Sequence, residues 1–167
     1  YASLKDMFTG KPNPDLNNAF SYDVKTNNYN PRDLMKNRVI WKGLVYKSNA
    51  PEEMNQYSIP DDWVTGPENY IHIYAPFKIS EVGIPQRHMG NYIPGEGPAP
   101  YPDPVPYTIH TKGSFGIDVK NHFMGFSGIQ FKAMNVPNNG MLGILRQSEN
   151  GMLVAEANII TTDIQQL

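Results

Sequence analysis

The chain has 167 residues, with 14 Lys and Arg against 16 Asp and Glu, for a formal net charge of −2. Its basic residues are scattered, which argues against a nucleic-acid surface. The lack of cysteine excludes disulfides, thiolate metal sites and a cysteine nucleophile. No stretch of about 18 apolar residues occurs, so no membrane-spanning helix is expected, and fifteen Pro with fourteen Gly give a turn-rich, β-type composition.

Residues 1–37 lack sustained periodicity and read as an extended N-terminal arm. Ser3 to Asp6 resembles a cap leading into one helical turn that Gly10 ends. Asn30-Pro31 reads as an N-cap with Pro at the first helical position, predicting a short helix to about Asn37. Tyr1, Phe8, Phe20, Tyr22 and Tyr29 punctuate this polar stretch, and a free disordered tail rarely carries so many aromatics. The arm is therefore expected to lie on a surface, its own sheet or a neighbour's.

Residues 38–167 read as one β domain. Arg38 to Lys47 predicts a strand with a bulge at Gly43. Asn49 to Gln56 predicts a short helix with Glu52 and Glu53 in its first turn, and Pro60 to Trp63 another helical turn. Tyr70 to Ala75 predicts a strand, continuing past Pro76 into Phe77 to Val82. Tyr107 to Thr111 and Ser114 to Val119 flank Lys112-Gly113 and predict a hairpin.

Residues 126–165 carry the strongest pattern. Asn139-Gly140 and Asn150-Gly151 separate three apolar runs, and Asn-Gly suits the type I′ turns of hairpins. A three-stranded antiparallel meander is expected. One face would carry Ile129, Phe131, Leu142 and Ile144 into the core. The other would present Met134, Met141 and Leu145 as an apolar patch. About eight strands in all predict an all-β fold, a single antiparallel β-sandwich of jelly-roll type with short helical turns.

Between Gly83 and Pro106 lies a long Pro/Gly-rich loop. Proline occupies every second position from Pro98 to Pro106, which fixes φ and removes N–H donors along one edge of an extended segment. Paired through Ala99, Tyr101, Asp103 and Val105, it would be a blunted edge strand. Exposed, it would be a polyproline ligand or a stiff loop.

No nucleotide, phosphate, serine-hydrolase or zinc-protease motif is present, so no catalytic residue, metal ligand or cofactor is assigned. His72 and His110 with Asp118 or Glu81 make a two-histidine, one-carboxylate set only if the fold joins them. Trp63, Tyr70, Tyr92 and Tyr101 are the candidate ligand- or partner-binding aromatics. The function expected is non-catalytic: a structural or assembly subunit of a virion shell or tail, or of an extracellular appendage. Its partners would be protein subunits, engaged through the arm and the Met134/Met141/Leu145 face. A carbohydrate-binding β-sandwich is the alternative, and a metal-dependent enzyme or accessory subunit the second alternative.

Overall fold

The computed structural model describes residues 4–9, 32–46, 51–59, 61–78, 80, 86–88, 90, 106–120, 122–134, 144–146 and 151–162. They form two short helices, α1 (Leu4–Thr9) and α2 (Leu34–Asn37). The strands are β1 (Trp41–Leu44), β2 (Glu52–Ile59), β3 (Ile71–Tyr74), β4 (Thr108–Val119), β5 (Phe123–Ser127), β6 (Gln130–Met134), β7 (Ile144–Arg146), β8 (Met152–Glu156) and β9 (Ile159–Thr162). Among the described residues no helix is long and apolar enough to cross a membrane.

Every named strand pair is parallel. The first sheet has the order β1-β3-β5-β8 and the second β2-β4-β6-β9, with β7 beside β4. Apart from β6 and β7, which both lie in the second sheet, successive strands go alternately to the two sheets, so the chain winds in coils. Four coils stack: β1 with β2, β3 with β4, β5 with β6 and β7, and β8 with β9. The expected antiparallel β-sandwich is therefore corrected to parallel sheets built from stacked coils.

The expected meander fails for a physical reason. An Asn-Gly pair reports a local bend, but the strands after it pair with the previous coil instead of with each other. β8 lies against β5, with Met124 beside Leu153 and Phe126 beside Ala155. β6 and β7 lie end to end along β4, beside Thr108–Lys112 and Ile117–Val119. Gly151 serves close approach: a Cβ there would collide with the His122 carbonyl, which accepts from Met152 N at 2.7 Å. Asn139-Gly140 lies outside the described residues.

Other expectations are corrected in the same way. Lys112-Gly113 is not a hairpin turn but the middle of the 12-residue strand β4. Glu52 to Gln56 is not helical; pairing with β4 makes it strand β2. Asp61 to Trp63 form no helical turn, and Phe77 and Lys78 are not strand. Gly43 is no bulge, since β1 stays in register with β3. A side chain there would run into Met7 Sδ at 2.6 Å and Ile73 Cδ1 at 2.7 Å. Helix α2 does form, but its N-cap is Asp33, which accepts from Lys36 N at 2.9 Å.

Stacking in register puts like side chains in columns. Trp41, Ile71, Met124 and Leu153 make one interior column, and Ile73, Phe126 and Ala155 another. The second sheet supplies Ile109, Phe131 and Ile160. Phe126 and Phe131 meet edge-on across the interior at 6.2 Å. Corners are tight where coils three and four turn: Gly128 (φ 74) and Ala157 (φ 49) occupy equivalent left-handed positions. Asn158 clasps the two corners, its Oδ1 accepting from Ile129 N at 2.9 Å and its Nδ2 donating to Phe126 O at 3.0 Å. The equivalent corner of coil two holds the long insertion between Tyr74 and Thr108, whose proline ladder lies outside the described residues except for buried Pro106.

Helix α1 seals the first coil. Leu4, Met7 and Phe8 are buried, and Phe8 packs on Trp41 at 5.8 Å and Trp63 at 6.3 Å. This part of the arm thus lies on its own chain. Glu52, at the head of the Ile109 column, fastens it: both carboxylate oxygens accept from Leu4 N at 3.1 Å, and Tyr107 donates its hydroxyl to the same carboxylate.

Two consequences are measurable. Glu52→Ala is expected to lower stability in urea unfolding by about 2 kcal/mol, because it strands two partly buried donors of a charged acceptor. Burial, then the Glu52 charge and hydrogen bond, hold the Tyr107 hydroxyl well above its ordinary range. The unfolded chain ionises this phenol first, so stability is complete below about pH 10 and is lost as pH rises past it. Alkaline unfolding curves of Tyr107→Phe should lack that component.

Candidate functional site

The two sheets differ in what covers their outer faces. In the second sheet residues of both alternations are buried: Thr108, His110, Gln130 and Lys132 as well as Ile109 and Phe131. Gln130 Nε2 donates to Thr108 Oγ1 at 2.8 Å, and Thr108 Oγ1 donates to Pro106 O at 2.7 Å. The first sheet is more open. Its outward columns are Lys42, His72, Gly125 and Val154, then Leu44, Tyr74, Ser127 and Glu156. Lys42 and Glu156 are exposed, and Tyr70, His72 and Tyr74 partly so.

Tyr70, His72 and Tyr74 alternate along the chain and project from one face, as strand geometry requires. The His72 ring stacks on Tyr74 at 5.1 Å and 27° and lies 6.2 Å from Tyr70. The imidazole has room because its neighbour on β5 is glycine: a Cβ on Gly125 would sit 3.3 Å from His72 Cδ2. His72 Nε2 and Ser127 Oγ are hydrogen-bonded at 2.9 Å.

The insertion reaches the same region. Arg87 lies against Gly128 and holds its guanidinium 5.8 Å from the Phe77 ring. His88 packs beside it, its Nε2 2.6 Å from Ala157 O while its Nδ1 accepts from Gly90 N at 3.2 Å. Burial first, then the charges of Lys42 and Arg87, push the His72 imidazole below its ordinary range, with Glu156 opposing. A neutral imidazole beside a serine hydroxyl can exchange a hydrogen bond with a ligand hydroxyl. Ser127 itself is only 3 % exposed, which leaves no open approach to it as a nucleophile.

Of the residues singled out from the sequence, those described are dispersed. Trp63 is 9 % exposed and forms an interior cluster with Trp41 (5.1 Å) and Phe8, so it offers no stacking surface. Tyr70 is on the open face. Met134 ends β6 beside Lys112, and Leu145 sits in β7 beside Asp118, about 20 Å apart by strand rise, so the two do not make one patch. Tyr92, Tyr101 and Met141 lie outside the described residues, as does Glu81. His72 belongs to the first sheet, and His110 and Asp118 to the second. Asp118 accepts from Ser58 Oγ at 2.9 Å. Among the described residues no three His, Asp or Glu groups are placed to hold a metal. The Tyr70-x-His72-x-Tyr74 alternation was the sequence signal for the open face; Gly125, Ser127, Arg87 and Glu156 gave none.

The His72 shift has a definite sign. Its folded pKa is depressed while the unfolded chain titrates near pH 6.5, so acidification protonates the unfolded state first. His72 thus removes stability as pH falls below about 6.5. A histidine NMR titration should place its midpoint below 6.5, and His72→Gln should flatten the acid limb of unfolding. The chain matches no protein-family model, no curated protein and no solved structure, and its function is read from its own residues.

Proposed function

We propose that this chain is a non-catalytic structural subunit that joins a larger assembly through its last coil. One observation carries the reading. Along the interior column of the second sheet Ile109 is 0 % and Phe131 2 % exposed, but Ile160 is 49 %. Its counterpart Ala155 in the first sheet is exposed as well, while the same column buries Ile73 and Phe126 completely. The interior thus runs out to the surface at coil four, where β8 and β9 are the last strands of their sheets among the described residues. Met152 adds an outward apolar side chain at 49 % exposure.

Terminal coils with an exposed interior need a cap, and parallel edges left bare invite strand addition. Helix α1 caps the first coil of this chain. Among the described residues coil four has no such cover, which supports a neighbouring subunit as its occupant. Completing the burial of Ile160 and Met152 would contribute about 1 kcal/mol each, with backbone pairing along two edges in addition. A virion component or an extracellular appendage is the setting that fits a coil stack built for contact.

Light scattering over a concentration range tests this. The expected native mass is a multiple of the 18.8 kDa chain, and Ile160→Lys with Met152→Glu should reduce it to a monomer of unchanged circular dichroism. A wild-type chain that stays monomeric at every concentration, with its amides in β8 and β9 protected from exchange, would contradict the proposal.

A further inference from the structure

The outer face of the first sheet is separate from the coil-four interior and poses its own question. Three partly exposed rings stand in a row along β3, at Tyr70, His72 and Tyr74. The neighbouring strand β5 carries the small residues Gly125 and Ser127 in the outward positions, both buried, with His72 lying against Gly125 and bonded to Ser127. His72 is stacked on Tyr74, so the row turns ring edges outward, and their hydroxyl and imidazole groups suit the hydroxyls of a sugar.

The charges around the row are unbalanced. Lys42 is one strand away, in register with His72. Arg87 approaches from the insertion, and its Nε is buried with no hydrogen-bond partner among the described residues. Neither cation has an ion pair among the described residues; the one salt bridge there joins Arg32 and Asp62. Among the described residues Glu156, in register with Ser127, is the single carboxylate that acts on His72. Two cations without an ion pair among the described residues, beside this row of rings, suit an anionic partner, and a planar guanidinium suits a carboxylate.

We infer that this face binds an acidic glycan, with the ring edges of Tyr70, His72 and Tyr74 meeting sugar hydroxyls and Lys42 and Arg87 each attracting a uronate carboxylate. Ser127 stays buried and holds the His72 ring by its hydroxyl. Glu156 sets a limit by repelling a carboxylate placed too near β8. Single-stranded nucleic acid also uses rings and cations, but the chain's net charge of −2 and scattered basic residues disfavour it.

Calorimetry on the intact chain decides, with oligomers of galacturonate, alginate and hyaluronate set against neutral cello- and malto-oligosaccharides and oligo-dT. At least one uronate oligomer should bind, weakening with salt as charge pairing does, while the neutral sugars do not. Lys42→Ala should weaken that binding about threefold and Arg87→Ala about tenfold, and Glu156→Gln should strengthen it about threefold. Lys42 and Glu156 are exposed, so those two variants report on binding even if Arg87→Ala disturbs the corner. Failure of every uronate oligomer to bind, equal binding of neutral sugars, or tighter binding of oligo-dT would each overturn the inference.

Discussion

In-register stacking of one coil on the next is the constraint on which the rest of this structure depends. A parallel strand satisfies its backbone only when a like strand lies on each side, and its interior side chain is buried only when the coils above and below supply neighbours. Ile71 and Met124, or Ile109 and Phe131, are buried because each has such neighbours. The same rule makes the two ends special. At the first coil, α1 replaces the missing neighbour with Leu4, Met7 and Phe8, and the Glu52 carboxylate ties that helix to the column it covers. At the fourth coil Ile160 and Ala155 are exposed, and among the described residues they have no such neighbour.

The corners follow from the same stacking. Gly128 and Ala157 turn two successive coils at one place, so their backbones must take the same left-handed conformation. Alanine tolerates that region less well than glycine, and the Asn158 clasp between the corners supplies compensating hydrogen bonds. Where coil two would turn, the chain instead leaves on its long insertion. The insertion returns as Arg87 and His88 against the Gly128 and Ala157 corners. It thereby brings a cation to the edge of the open sheet face, where Lys42, His72 and Glu156 already lie.

Local readings from the sequence survived where local chemistry decides and failed where distant pairing does. The alternation at Ile71 to Tyr74 and the helical turn after Ser3 are realised. Asn150-Gly151 looked like a hairpin turn, yet Met152 to Glu156 pairs with β5 from the preceding coil, a partner no short window contains. Glu52 and Glu53 suggested a helix start, and pairing with β4 overrode that preference. The coil repeat, roughly 30 residues from Trp41 to Ile71 and again from Met124 to Leu153, falls within the range of about 20–50 typical of solenoids. The insertion between Tyr74 and Thr108 interrupts it, so no repeat was legible. Trp63 illustrates the same gap at a candidate site: its ring was available as a ligand platform until Phe8 and Trp41 enclosed it.

The most direct measurement is the pattern of methyl nuclear Overhauser contacts around Met124 in the labelled, intact chain. Met124 should contact Ile71 on one side and Leu153 on the other, as parallel stacking in register requires. Absence of both contacts, with Val154 found instead opposite Gln147 in an antiparallel hairpin, would contradict the stacked-coil account.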